Sequence, residues 1–81
     1  MSTQTPTITE DTARHVLWTF GTEGGYRPGT FTQKLLELLA YADQDNTAKL
    51  AVVYPGEAEA VRIAKYEKNG VEQLQKIAGV A

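Results

Sequence analysis

Phe31-Thr32-Gln33-Lys34-Leu35-Leu36-Glu37-Leu38-Leu39-Ala40-Tyr41-Ala42 is the stretch on which the fold turns. Set at about 100° per residue on a helix, Gln33, Lys34, Glu37 and Tyr41 share one narrow sector, while Phe31, Leu35, Leu36, Leu38, Leu39 and Ala40 fill more than half the circumference. A helix apolar over that much of its surface needs neighbours on several sides, so it is expected at the centre of the fold. Thr30, with Gln33 three residues on, reads as a capping box that starts it.

Upstream, the stretch from Thr9 to Phe20 predicts a first helix. Thr9 is its candidate N-cap, Glu10 and Asp11 fill the first turn, and Gly21 follows as a stop. Its buried stripe is Ala13, Val16, Leu17 and Phe20, with Trp18 outside it. Between these helices, Gly21-Thr22-Glu23-Gly24-Gly25-Tyr26-Arg27-Pro28-Gly29 is a loop that needs unusual backbone angles.

Downstream, Asp43 to Asp45 break the second helix, and Asp45 or Asn46 can cap a short third one ending near Val53 or Tyr54. The apolar run Leu50-Ala51-Val52-Val53-Tyr54 has a periodicity that also suits a buried strand. Helix is the better reading, because no second strand exists to satisfy its backbone groups. Pro55 suits the first position of a fourth helix reaching Lys68. Asn69-Gly70 ends that helix, and a fifth, with Val71, Leu74, Ile77 and Ala78 inward, stops at Gly79.

The fold class is therefore all-α, a compact orthogonal bundle of four to five short helices. Residues 1–8 read as a flexible N-terminal tail and residues 9–79 as the single helical domain. At 81 residues with 42% apolar and 22% charged side chains, the chain has enough apolar content for one core and no room for a second. It has no cysteine, which removes disulfides, thiol nucleophiles and thiolate metal sites. No signal-peptide pattern and no run of membrane-spanning length occur, so cytoplasmic residence without membrane association is expected.

Catalytic chemistry finds no foothold in the sequence. His15 is the only histidine, on the polar side of the first helix, with no serine or cysteine placed beside it by local spacing. Asp43-Gln44-Asp45-Asn46 lacks the glycine and terminal glutamate of a calcium loop. The glycine-rich loop matches neither the P-loop nor the dinucleotide fingerprint, and Arg27 is its only base. The chain is accordingly expected to be no enzyme and to carry no metal or cofactor.

A helix-turn-helix-like DNA-binding regulator is the alternative class, since the third and fourth helices meet at Tyr54-Pro55-Gly56. Charge argues against nucleic acid. The net charge is −2, and Glu57 and Glu59 would stand at the end of a recognition helix that faces the bases.

What remains is the placement of residue types that anchor interfaces: Trp18 near Arg14, Tyr26 and Arg27 in the adjoining loop, and Tyr66 beside Arg62. They make Trp18, Tyr26, Arg27, Arg14 and Tyr66 the candidate partner-binding residues of a non-catalytic protein-interaction module. Beside that stands a purely structural reading, in which the loop folds back and Tyr26 or Pro28 covers Trp18.

The block Leu17-Trp18-Thr19-Phe20-Gly21, then Gly24-Gly25-Tyr26-Arg27-Pro28-Gly29, Ala42-Asp43, Asn46 and Tyr54-Pro55-Gly56, resembles small uncharacterised accessory proteins of actinobacteriophages. The resemblance covers most of residues 17–79 and brings no assigned activity with it. It implies a phage accessory protein in the bacterial host cytoplasm, whose partner is a host protein or a second copy of itself.

Overall fold

The structure is a computed structural model and describes residues 6–80. It is all-α, with five helices in chain order and no strand among the described residues: α1 (Glu10–Thr19), α2 (Thr30–Tyr41), α3 (Gln44–Val53), α4 (Pro55–Tyr66) and α5 (Gly70–Ala78).

Thr9 caps α1 as its sequence suggests, its hydroxyl accepting from the Thr12 N–H at 3.1 Å. The expected capping box of α2 does not form. Gly29 stands at the N-cap with no side-chain cap, and Gln33 instead bonds sideways to Arg27 and Glu37. The 50–54 run is helical through Val53, but α3 starts earlier than expected, because Asp43 accepts from the Asn46 N–H at 2.8 Å. Pro55 opens α4, which ends at Tyr66 rather than Lys68.

Gly70 is not a stop but the first residue of α5. A Cβ there would collide with the Ile63 carbonyl oxygen, so glycine at this position lets α5 begin directly against the backbone of α4. At the far end of α5, Gly79 and Val80 donate to the carbonyls of Lys76 and Gln75 at 3.1 and 2.9 Å, a Schellman closure.

The core is built from Ala13, Val16 and Leu17 of α1, Leu35, Leu36 and Leu39 of α2, Ala58, Ala60, Val61 and Ile63 of α4, and Leu74 and Ala78 of α5. The central element is α4, not α2. α4 packs against every other helix, whereas α2 packs chiefly against α4 and α1. Set at about 100° per residue, the buried residues of α4 spread around most of its circumference, and three of them are small enough to admit close neighbours: Ala58, Ala60 and Val61. The bulkier apolar surface of α2 cannot be enclosed by so few helices, so Phe31 and Leu38, both expected inside, lie in solvent.

Residues 1–5 of the expected tail lie outside the described residues. Its last two do not behave as a tail. Ile8 is half-buried against the core, and the Thr7 carbonyl lies on the first turn of α4, 2.7 Å from where a Cβ at Gly56 would sit.

Candidate interaction surface

The loop after α1 folds back onto that helix. Arg14 holds it by donating from Nη1 to the Gly24 carbonyl at 3.1 Å, while the Tyr26 N–H donates to the Arg14 carbonyl at 3.3 Å. Gly25 lies so close that a Cβ would overlap the backbone nitrogen of Trp18. Close backbone approach, rather than a need for positive φ, is what requires glycine there.

This folding brings four of the five sequence-predicted residues together. The Arg14 guanidinium lies 5.5 Å from the centre of the Tyr26 ring, and that of Arg27 lies 6.0 Å from the centre of the Trp18 ring. The Tyr26 hydroxyl donates to Asp11, and this bond, more than any nearby charge, pushes the tyrosine pKa above its ordinary value. Trp18 stays 36% exposed. Arg27 lies over its ring and Pro28 of the same loop is buried, while Tyr26 turns to Arg14 and to His15, whose ring meets it edge-on with centroids 5.4 Å apart. His15 is thereby half-buried instead of facing solvent.

Tyr66 stands apart from this group. Its ring lies beside Lys65, 5.1 Å from the ammonium, on the rim of a cleft of about 410 Å³ between α3 and α4. Lys65 itself donates to the carbonyls of Ala42 and Leu39 at 3.2 and 3.5 Å, supplying the end of α2 with the cation its own last turn lacks.

A second surface escaped the reading of the sequence. The exposed large apolar residues concentrate on α2 and α3: Phe31, Leu38, Tyr41, Val52 and Val53, with Tyr41 at 89% and Leu38 at 52% exposure. Only Ala42 and Asp43 link the two helices, and the rings of Phe31 and Tyr54 meet at 6.1 Å, so the chain doubles back on itself. Between them runs a cleft of about 490 Å³ lined by Leu38, Tyr41, Asp43, Asn46, Lys49 and Leu50. No residue of α3 is buried.

The two surfaces adjoin. Arg27 Nε donates to Gln33 Oε1 at 3.4 Å, and Gln33 Nε2 to Glu37 at 3.3 Å. Glu37 and Tyr41 then line a shallow depression with Thr19 of α1. A polar ridge therefore leads from the Trp18 group to Tyr41. The excess of leucine on α2 carries the signal for the α2–α3 face, but periodicity alone places those leucines in the core.

For DNA recognition the placement of α4 is unfavourable. It is the most enclosed helix, its first turn is covered by Thr7, and Arg62 is engaged by Glu59 at 2.7 Å and Glu67 at 3.0 Å. No helix is long and apolar enough to cross a membrane among the described residues, and no group of side chains suited to a metal ion occurs there. Against protein-family models, curated proteins and solved structures, the chain finds no match.

Proposed function

We propose that this chain is a non-catalytic protein-binding module that works by occlusion or scaffolding. One observation carries the reading: Phe31, Leu38, Tyr41, Val52 and Val53 stand exposed on two consecutive helices, five of the nine large apolar side chains left outside among the described residues. Removing apolar surface from water is worth about 25 cal/mol per Å². A domain this size that leaves such residues outside gains that free energy when something covers them. Trp18, Tyr26 and Arg27, at the other end of the polar ridge, supply residue types that anchor interfaces, with Arg14 holding their loop. The likeness to actinobacteriophage accessory proteins makes a host cytoplasmic protein the first partner to seek.

Recovery of a partner from bacterial lysate on the immobilised chain tests the reading, with Leu38→Glu and Trp18→Ala as comparisons. Leu38→Glu should abolish capture without lowering the melting temperature, since Leu38 adds little to the core. Trp18→Ala should weaken capture at a cost of about 2 kcal/mol if Trp18 is an anchor. Capture unaffected by either substitution would remove this surface from consideration.

A further inference from the structure

We propose that the α2–α3 face pairs with the same face of a second copy in a two-fold, antiparallel arrangement; this rests on reading that face as a binding surface. Its charges suggest the occupant. At the tip, where α2 passes into α3, stand Asp43 and Asp45 beside Tyr41. Further along, Lys49 lines the cleft with Leu38, and Lys34 stands exposed one turn before Leu38 on α2.

All four charged groups are exposed, and none belongs to an ion pair among the described residues. Counting Glu37, which shares the Lys34–Tyr41 sector of α2, the face is acidic at one end, carries one net positive charge towards the other and sums to −1. A two-fold axis near Leu38 lays the aspartates of each copy over the lysines of the other, and Tyr41 of one over Phe31 and Val53 of the other. A parallel arrangement would set like charges against each other. An isologous contact requires this self-complementarity, in which what residue i meets, its counterpart meets in return.

Size sets the expected strength. A helix the length of α2 spans about 18 Å and is about 10 Å wide. Two such strips give about 360 Å² per copy and about 720 Å² in all, below the roughly 1,200 Å² at which stable interfaces begin, which makes the contact a weak one. The dimer should be reversible, appearing as a rise from the 8.9 kDa monomer mass with concentration.

Sedimentation equilibrium over a wide concentration range is the test. Wild type should self-associate, and Leu38→Glu should weaken association at least about tenfold with an unchanged melting temperature. Charge reversal checks the orientation independently. The K34E/K49E double variant and the D45K variant should each self-associate more weakly than wild type, yet form a mixed dimer when combined, because the first keeps its aspartates and the second its lysines.

A wild-type chain that stays monomeric at millimolar concentration would overturn self-pairing. If Leu38→Glu still abolished capture of another protein, the binding reading would survive that failure; if neither effect occurred, both would fall. Self-association that ignores all the charge reversals would overturn the antiparallel arrangement.

Discussion

α1, α4 and α5 enclose Val16, Leu17, Val61, Ile63 and Leu74 and leave Trp18, Tyr66 and Ile77 at the surface, whereas the shorter stretch of α2 and α3 leaves Phe31, Leu38, Tyr41, Val52 and Val53 outside. In the first group Leu17, Val16, Val61 and Leu74 are wholly or almost wholly enclosed, and glycine at position 70 lets α5 start on the backbone of α4. In the second, α3 buries nothing completely, and α2 places Leu35, Leu36 and Leu39 inside but Phe31, Leu38 and Tyr41 outside. The same residue types thus serve different ends. Leucine in α1 or α5 is stability, while leucine on the outer side of α2 contributes little until a partner covers it.

The widest gap should appear in truncations. Leu17→Ala and Leu74→Ala remove fully enclosed side chains and should each cost about 2–5 kcal/mol in urea unfolding. Leu39→Ala, on the inner side of α2, belongs with them. Leu38→Ala, one residue away and half-exposed, should stay within about 0.5 kcal/mol of wild type. Equal losses at Leu38 and Leu39 would erase the distinction between inner and outer sides of α2.

Glycines give the next contrast. Gly25→Ala would drive a methyl group into the Trp18 backbone and to within 2.8 Å of the Arg14 carbonyl, neither of which can move without displacing α1. A loss of about 1–3 kcal/mol is expected. Gly29→Ala meets nothing within 4 Å and has an ordinary φ of −64°, so the entropy removed from the unfolded chain offsets alanine's poorer fit at an N-cap and the change should stay within about 0.5 kcal/mol. A melt of the two variants side by side decides whether the loop is fixed on α1 as described.

α3 sharpens the comparison, because packing secures it least. Its N-terminal cap therefore matters more than those of the enclosed helices. Asp43→Ala should cost about 1 kcal/mol, and native-state hydrogen exchange should show faster opening confined to the amides of α3. If exchange accelerated equally in α1 and α5, the bundle would be one cooperative unit and the comparison would lose its energetic meaning.

Much of the fold was legible in the sequence, since Thr9, Pro55 and Gly79 act through local backbone chemistry. Helical identity for residues 50–53 followed from the lack of a pairing strand. What sequence could not give was which apolar helix the others surround. α2 has the more hydrophobic composition, but α4 carries alanines on several sides, and close approach favours small side chains over greasy ones. The candidate site was half legible for the same reason. Trp18, Tyr26, Arg27 and Arg14 are near in sequence and meet through one loop, whereas the α2–α3 face becomes visible only once α4 has taken the centre. The role of Gly70 depends on a contact with Ile63 that no local rule contains.

The smallest expected effect concerns charge in the well-packed group. Arg62 donates to Glu67 at 3.0 Å, and this bond, followed by one from Gln73, holds the Glu67 pKa below the usual glutamate value. A carboxylate with a depressed folded-state pKa contributes stability that is present above its unfolded pKa, near 4.3, and lost as pH falls through the folded value. Arg62→Gln, which also removes the 2.7 Å contact to Glu59, should therefore lower the melting temperature slightly at neutral pH and make no difference at the acid end, where carboxylates are protonated. Arg62 is 43% and Glu67 40% exposed, so water and salt screen the pair strongly. Melts of both proteins from about pH 7 down to about pH 2, repeated in about 1 M salt, give the check. The two curves should converge as the acid limb is crossed, and the added salt should reduce their separation at neutral pH. A gap that persisted at the acid end would mean that Arg62 acts through its aliphatic stem on the α3–α4 cleft it lines, which would tie this arginine to the less enclosed side of the molecule.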